Sequence, residues 1–509
     1  MRLLYHDRMG ISSVLYDTTS NMNINRLKSF FINEQSIRQT LLKNSFWSTV
    51  SNTGSNVIKL VIIIYAARLL GAEQYGLFSY VLSIAATFTI LSDLGLNYLF
   101  FINITRRDKN PEEYFPTLIL MRIGLVVAVI FLTIAIGPLI IKFPEAKILI
   151  PLVALLVAFD DFRAFLNGFS RAENRIDKEA FGNIFTNILI VVLSLIGLKY
   201  APTSYMLMFT YLLGSGLGTC VVFFIVRKDF TKIFRPLKFS FKLAKDILVV
   251  TIPFSLASSM WMLMTNTDMF VIGWLRTAVD LGYYAAAQRP IMALSLVPTI
   301  IAASSLAIIA RAAKEGAQET LKNLTERLIT LSFAIVLPLA IGGIIIAPSL
   351  INLLYGAEYL PATLSFQLLF VTLVISYPAG IITNLILAFK QQKTFTIAMV
   401  AGALGNFLLD LLLIPYFGIA GSVVATIGAL GIINGYIWYN AKKLLPFEVA
   451  PFLPRIVIAT FFMGMFTLAL HLADINFWMN IILSAFVYLG ALIITKEPLL
   501  NELKGLFRS

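Results

Sequence analysis

Fourteen apolar stretches, each long enough to cross a bilayer, alternate along this chain with short polar loops, and Lys and Arg gather in every second loop. A spanning helix needs about 20 apolar residues. Inside hydrocarbon it must also satisfy its own backbone polar groups, which excludes open sheets and irregular chain. The first stretch runs 46–70 and the last 476–495. Charged residues make up 13% and mean hydropathy is +0.84, whereas soluble domains are about a quarter charged. The expected fold is an all-α integral membrane protein of about 14 transmembrane helices.

Charge orients the helices. With a cytoplasmic N-terminus, 32 of the 40 Lys and Arg fall on the cytoplasmic side and five on the other: Arg68, Lys142, Lys147, Lys199 and Arg276. This positive-inside bias places both termini in the cytoplasm of an inner or plasma membrane. The net charge of +13 then reflects topology and anionic headgroups rather than nucleic acid. A single cysteine, Cys220, excludes an internal disulfide, and two histidines exclude a His-based metal cluster. The polar first 45 residues lack the apolar core of a signal peptide.

A weak repeat runs through the chain. Ala72 and Gly76 match Ala278 and Gly282 at an offset of 206, and Gly182-Asn183 matches Gly405-Asn406 at an offset of 223. Two six-helix halves follow, as in transporters that rock one half against the other. The expected organisation is a cytoplasmic segment 1–45, an N-lobe 46–226, a basic linker 227–245 and a C-lobe 246–440. Residues 441–509 add two helices and a cytoplasmic tail.

The run KNSFWSTVSN…YAARLLGAEQYGLFSYVLSIAATFTILSDLGL resembles the first two helices of polysaccharide transporters in the MOP (multidrug/oligosaccharidyl-lipid/polysaccharide) exporter superfamily. TDMFVIGWL…VDLGYYAAAQR resembles that family's seventh and eighth helices, and LLIPYFGIAGSVVAT its eleventh-to-twelfth turn. The resemblance covers about residues 44–440. It implies two pseudo-symmetric six-helix lobes around a central cavity, plus two C-terminal helices. It also implies a cargo: a lipid-linked oligosaccharide on undecaprenyl diphosphate, turned from the cytoplasmic to the outer leaflet.

Ionisable residues within a membrane are costly and mark function. Lys59 in span 1 and Arg289 in span 8 suit a diphosphate, to which Arg offers paired donors and Lys a point charge. Arg122 in span 3 reads as a snorkelling or ion-paired residue, and Asp268 is a possible partner of Arg289. Ser48, Asn52, Ser55 and Lys59 recur at steps of 4, 3 and 4, hence on one helix face. With Asn56 beside them and Asn266 on span 7, they are the expected cavity lining for sugar hydroxyls. The alternative is small polar residues serving helix packing alone. Asp268, Asp93 and Asp410 are the intramembrane acids able to bind a coupling proton or Na⁺. Pro253, Pro290 and Pro298 mark spans 7 and 8 as places where helices bend.

Two related readings stay open: a Na⁺- or H⁺-driven drug or metabolite exporter, and a flippase of lipid-linked peptidoglycan precursor. A membrane enzyme fits poorly, because the outer loops are short and no GxxxxGK[ST] phosphate loop occurs. The chain reads as a transporter without cofactor or metal. Its expected partners are the lipid-linked oligosaccharide, membrane lipids, H⁺ or Na⁺, and polysaccharide assembly proteins.

Overall fold

The computed structural model describes residues 37–93, 95–96, 111–172, 175–233, 239–495 and 497–498, and no strand occurs among them. The side chains of Ser48, Asn52, Asn56 and Asp93, and most of the basic linker, lie outside the described residues.

Ten helical stretches are long and apolar enough to cross a membrane. Two of these are broken by a glycine at positive φ, Gly71 at 72° and Gly418 at 58°, and so cross twice. Those second crossings, with Ile150–Ala172 and Phe241–Leu275, bring the described spans to the expected fourteen. In chain order they are α1 (37–70) and α2 (72–93), α3 (Pro111–Ile140), α4 (Ile150–Ala172), α5 (Ile176–Tyr200) and α6 (Ser204–Ile233). The second half holds α7 (Phe241–Leu275), α8 (Ala278–Lys314), α9 (Gln318–Tyr355), α10 (Thr363–Ala388), α11 (392–417) and α12 (419–444). The last two are α13 (Leu453–Leu472) and α14 (Phe477–Ile494). Because successive spans reverse direction, α1 starts and α14 finishes at the same end of the bundle, here the terminal end. The turns at Gly71, Arg276 and Gly356 lie at the far end.

Proline shapes several spans in a way the bilayer makes necessary. It has no N–H, so the carbonyl four residues earlier loses its partner, and no water is at hand to replace it. Three such carbonyls are taken over by a side chain from another helix. Opposite Pro298, Tyr377 of α10 donates to Leu294 O at 3.0 Å. Opposite Pro338, Tyr488 of α14 donates to Ala334 O at 2.6 Å. Opposite Pro348, Gln367 of α10 donates its amide to Ile344 O at 2.9 Å. Helix α8 is interrupted at Ser295, between Pro290 and Pro298, as the proline spacing predicts. Helix α7 keeps a helical backbone through Pro253.

Packing differs between the two ends. One core joins the halves and includes Tyr75 and Tyr80 of α2, Ile272 of α7, Tyr284 of α8 and Ile351 of α9. A second core belongs to α3, α4 and α6, with Leu118, Phe165 and Val222, and takes in Ile247 at the start of α7. A third belongs to the second half alone, with Ile309, Leu321, Ile382 and Ile433. The halves therefore share a core towards the far end, whereas towards the terminal end the second half has its own and the first half's takes in only the start of α7. Helices α13 and α14 dock on α9 through Ile456, Met463 and Tyr488, outside both halves.

Candidate functional site

The sequence repeat forms the contact that closes the far end. Ala72 and Gly76 open α2, and Ala278 and Gly282 open α8; four-residue spacing puts each pair on one face. A Cβ on Gly76 would stand 2.0 Å from Ala278 O, and one on Gly282 1.9 Å from Ala72 O. The two helices thus cross backbone to backbone about a pseudo-two-fold axis, with each glycine facing the other half's alanine. Such close crossings need small residues.

Charged caps flank the crossing. Arg68 donates its Nε to Leu354 O at 2.7 Å and an Nη to Leu353 O, carbonyls left open where α9 ends. Glu358 accepts from Ala72 N at 2.8 Å, in the first turn of α2. Tyr359 donates to Ala67 O at 2.8 Å, where α1 ends. These three helix ends are each capped from the other half, with the cation at carbonyls and the anion at an amide.

The first half contains a buried ion pair. Arg122 of α3 and Asp161 of α4 are 6% and 2% exposed. Arg122 donates from Nε to Asp161 Oδ2 at 2.8 Å and from Nη2 to Oδ1 at 2.9 Å, and Ser92 of α2 adds a bond of 2.9 Å. The neighbouring Asp160, rotated about 100° round the helix, binds Arg163 and Ser215 at 2.6 Å each. The ion-pair reading of Arg122 therefore holds. A groove of about 250 Å³ opens beside this pair, lined by apolar residues of α3 and α4 such as Val127 and Phe162.

The second half contains acids without a cation. Asp268 of α7 accepts from Tyr284 of α8, from Thr426 of α12 at 3.0 Å and from Asn406 of α11 at 3.3 Å. Asp410 lies beside Asp268 and Ser422, yet neither of its carboxylate oxygens has a hydrogen-bond partner. Asn406 Oδ1 and Ser422 Oγ are likewise buried without partners. Asn406, Asp410 and Ser422 are 0% exposed. Carboxylate, amide and hydroxyl oxygens are the donor set of a hard cation, and the orphaned oxygens here fit one. The pairing of Asp268 with Arg289, one of two readings the sequence left open, is not formed: Asp268 is occupied by these three neutral donors. Sequence reasoning had named the two acids but missed Asn406, Ser422, Thr426 and Tyr284. The available signal was a pair of polar residues four apart on each of two adjacent apolar spans: Asn406 with Asp410, and Ser422 with Thr426.

Lys59 and Arg289 have no counter-ion among the described residues. Lys59 is half-buried, and no hydrogen bond or ion pair to it occurs among the described residues. Arg289 is half-buried, with a fully buried Nε that has no partner. The two stand at one depth. Lys59 lies twelve residues before Gly71 and Arg289 eleven after Ala278, so both backbones are about 17–18 Å from the far end at 1.5 Å per residue. Ser55, one turn before Lys59, has a buried hydroxyl without a partner. Asn266 turns its amide back to Met262 O at 2.8 Å.

Three findings place the chain among known proteins. Residues 41–309 match the family described as polysaccharide biosynthesis protein. The probable low-salt glycan biosynthesis flippase Agl15 of Haloferax volcanii is 22% identical over 392 residues, covering 76% of this chain and 80% of that protein. The capsular polysaccharide biosynthesis protein CapF of Staphylococcus aureus is 22% identical over 414 residues, covering 79% and 99%. Among solved structures, the lipid II flippase MurJ in an inward closed conformation superposes with a TM-score of 0.73 at 18% identity, over 89% of this chain and 99% of that one. An inward-facing multidrug resistance MATE transporter of the MOP superfamily gives 0.62 at 16% identity, over 83% and 98%. These structural likenesses establish the fold, the one shared by the MurJ flippase and the MATE transporter. The sequence match runs through both sides of the Ala72–Gly282 crossing and across more than half of the chain, which belongs to the polysaccharide biosynthesis protein family.

Proposed function

We propose that the protein turns a lipid-linked oligosaccharide, carried on a polyprenyl diphosphate of the undecaprenyl type, from the cytoplasmic to the outer leaflet for polysaccharide biosynthesis. The observation that carries this reading is the pair Lys59 and Arg289: two intramembrane cations without counter-ions among the described residues, at one depth, in opposite halves. Buried charge is retained at such cost only where a partner of opposite sign arrives, and a diphosphate supplies it. The names of the Haloferax and Staphylococcus relatives agree in pointing to glycan and capsular polysaccharide assembly.

In this reading the terminal end is cytoplasmic, following the loop charges. The lobes are 46–226 and 246–440, and they alternate around the closed far-end crossing. The cargo's headgroup enters between the lobes from the terminal end and meets Lys59 with the hydroxyls beside it on α1. Asp268 and Asp410 hold the coupling ion. Na⁺ suits them because the two carboxyls lie with the Asn406 amide oxygen and the Ser422 hydroxyl in one buried set of hard-cation donors. When bound, that ion supplies positive charge beside the two carboxyls. Asp93, the third acid expected to couple, keeps that role only as an expectation from sequence.

The test is the sidedness of lipid-linked oligosaccharide in cells lacking the protein. Accumulation on the cytoplasmic face, relieved by wild type and not by Lys59→Ala, is the expected result. Relief by both would return Lys59 to a packing role, and absence of accumulation would overturn the flippase reading in favour of an ion-driven exporter.

A further inference from the structure

One segment of α8 touches both the far-end crossing and the buried acids. It runs unbroken for 17 residues, from Ala278 to Leu294, before the interruption at Ser295. Gly282, near its start, lies against Ala72 O of the first half, and Tyr284 follows two residues later. At 100° per residue the two side-chain positions point about 200° apart. The turn that meets the first half on one side therefore meets the acids of the second half on the other. There the Tyr284 hydroxyl donates to Asp268 Oδ2. Both residues are buried, 0% and 2% exposed. Of the three donors described on Asp268, only Tyr284 sits on this segment; Thr426 and Asn406 belong to α12 and α11.

The crossing depends on how this segment is rotated. A backbone-to-backbone contact forms only where a residue without a side chain faces the partner. A turn of the segment about its axis would bring the side chain of Leu281 or Tyr283 towards Ala72 O and push the helices apart. The bond from Tyr284 to Asp268 fixes that rotation from the opposite side. The segment's other end is a joint: Pro298 frees Leu294 O, which Tyr377 of α10 takes at 3.0 Å. A cation seated between Asp268 and Asp410 acts on the tyrosine bond alone. It would be the largest local charge there, drawing on the carboxylate that holds the phenol proton and repelling that proton. The glycine contact involves no charge and is untouched.

We propose that Tyr284 links the coupling ion to the far-end crossing: Na⁺ and the Tyr284 hydroxyl compete for Asp268, so ion binding frees the rotation of Ala278–Leu294 and favours parting of the halves. The proposal rests on the reading of Asp268 and Asp410 as an ion site and adds Tyr284 as a positioning residue, which acts through Asp268 and touches no cargo. Such coupling is reciprocal. What the ion takes from the tyrosine bond, that bond takes from the affinity for the ion. Arg289 lies on the same segment, five residues beyond Tyr284, so its guanidinium moves with the gate.

The test uses the full chain in nanodiscs, with Na⁺ alone as the probe and choline as its replacement. Spin labels at Tyr200→Cys, ending α5, and Tyr416→Cys, ending α11, report the separation of the halves at the far end. These positions are 84% and 80% exposed, and the single native cysteine is removed as Cys220→Ser. Na⁺ should lengthen the label distance in this parent chain. Tyr284→Phe keeps the ring and removes only the hydroxyl. It should show the longer distance without Na⁺ and gain little when Na⁺ is added. It should also bind Na⁺ about tenfold more tightly, read from the Na⁺ dependence of Tm, because the competing charge-assisted bond is gone. Tyr377→Phe removes a hydroxyl at the joint of the same segment and should keep the lengthening by Na⁺. The link is overturned by a parent distance that Na⁺ leaves unmoved or shortens, or by full lengthening in Tyr284→Phe. Na⁺ binding no tighter in Tyr284→Phe overturns it too, as does loss of the response in Tyr377→Phe, which would mean general loosening. If Na⁺ does not raise the parent's Tm at all, the ion reading of Asp268 and Asp410 fails and the link falls with it. A raised Tm without the distance response sinks the link alone.

Discussion

Each half of this bundle buries acids among apolar helices, and the two halves neutralise them in opposite ways. In the first, Asp161 has a two-pronged guanidinium on it and a serine behind, so its charge is cancelled within the protein. In the second, Asp268 has only neutral donors, and Asp410 beside it has no hydrogen-bond partner. The repeat makes this difference informative. Asn183 of α5 bonds Ser51 of α1 at 3.3 Å, and its repeat partner Asn406 of α11 bonds Asp268 of α7 at 3.3 Å. The same helix pairs touch through the same asparagine, yet one pair joins neutral groups and the other leads to two carboxyls. A static ion pair and an ion-binding site have been built on one scaffold.

The sharpest break in that comparison is Asp161→Asn. It removes the carboxylate charge facing Arg122 in the first half, and removing one partner of a buried pair costs about 3–5 kcal/mol. Thermal unfolding of the purified chain should register the loss, and Arg122→Leu added to Asp161→Leu should recover most of it. A loss below about 1 kcal/mol, the worth of a surface pair, would mean that the pair is solvated and the halves are not opposites.

Asp410→Asn in the second half should leave stability in Na⁺-free buffer nearly untouched while abolishing any stabilisation by Na⁺. For the wild type that stabilisation is about 2.7 kcal/mol at a hundred times the Kd. Equal Na⁺ responses in the two chains would remove the ion from Asp410.

At the crossing the halves should behave alike. Gly76→Ala and Gly282→Ala each force a Cβ to within 2.0 and 1.9 Å of a carbonyl oxygen, at a cost of about 1–3 kcal/mol apiece. Clearly unequal losses in Tm would show that the pseudo-symmetry stops short of the gate.

The mildest comparison pairs the two asparagines. Asn183→Ala should cost about 1–3 kcal/mol, the loss of its bonds to Ser51 and from Asn167, with no effect on Na⁺ response. Asn406→Ala should weaken Na⁺ binding about tenfold, and a response unchanged in both would leave the repeat without functional meaning.

Much of the fold was legible because a bilayer leaves few choices. Apolar length set the number of spans, and Gly76 and Gly282 were visible as matched positions before their crossing was known. The prolines pointed to the interruption of α8 for the same backbone reason. The candidate site was only partly legible. Asp268 and Asp410 stood out as intramembrane acids, but their separation of 142 residues gave no hint that they are neighbours. Arg289 looked equally able to pair with Asp268 or to stand alone, since depth along a helix says nothing about rotation around it. Arg68 and Glu358 counted only as outer-loop charges, although each caps a helix end in the other half.

What the amino-acid sequence determined alone was the solvent of this protein, its number of crossings and its internal repeat. These follow from local rules: apolar length, loop charge and the spacing of small residues. Which buried acid receives a cation, which carbonyl freed by proline receives a tyrosine and which donors are left without an acceptor were decided by the tertiary structure. In hydrocarbon a polar group has only protein to bond with, so its state is set by whichever helix is packed beside it.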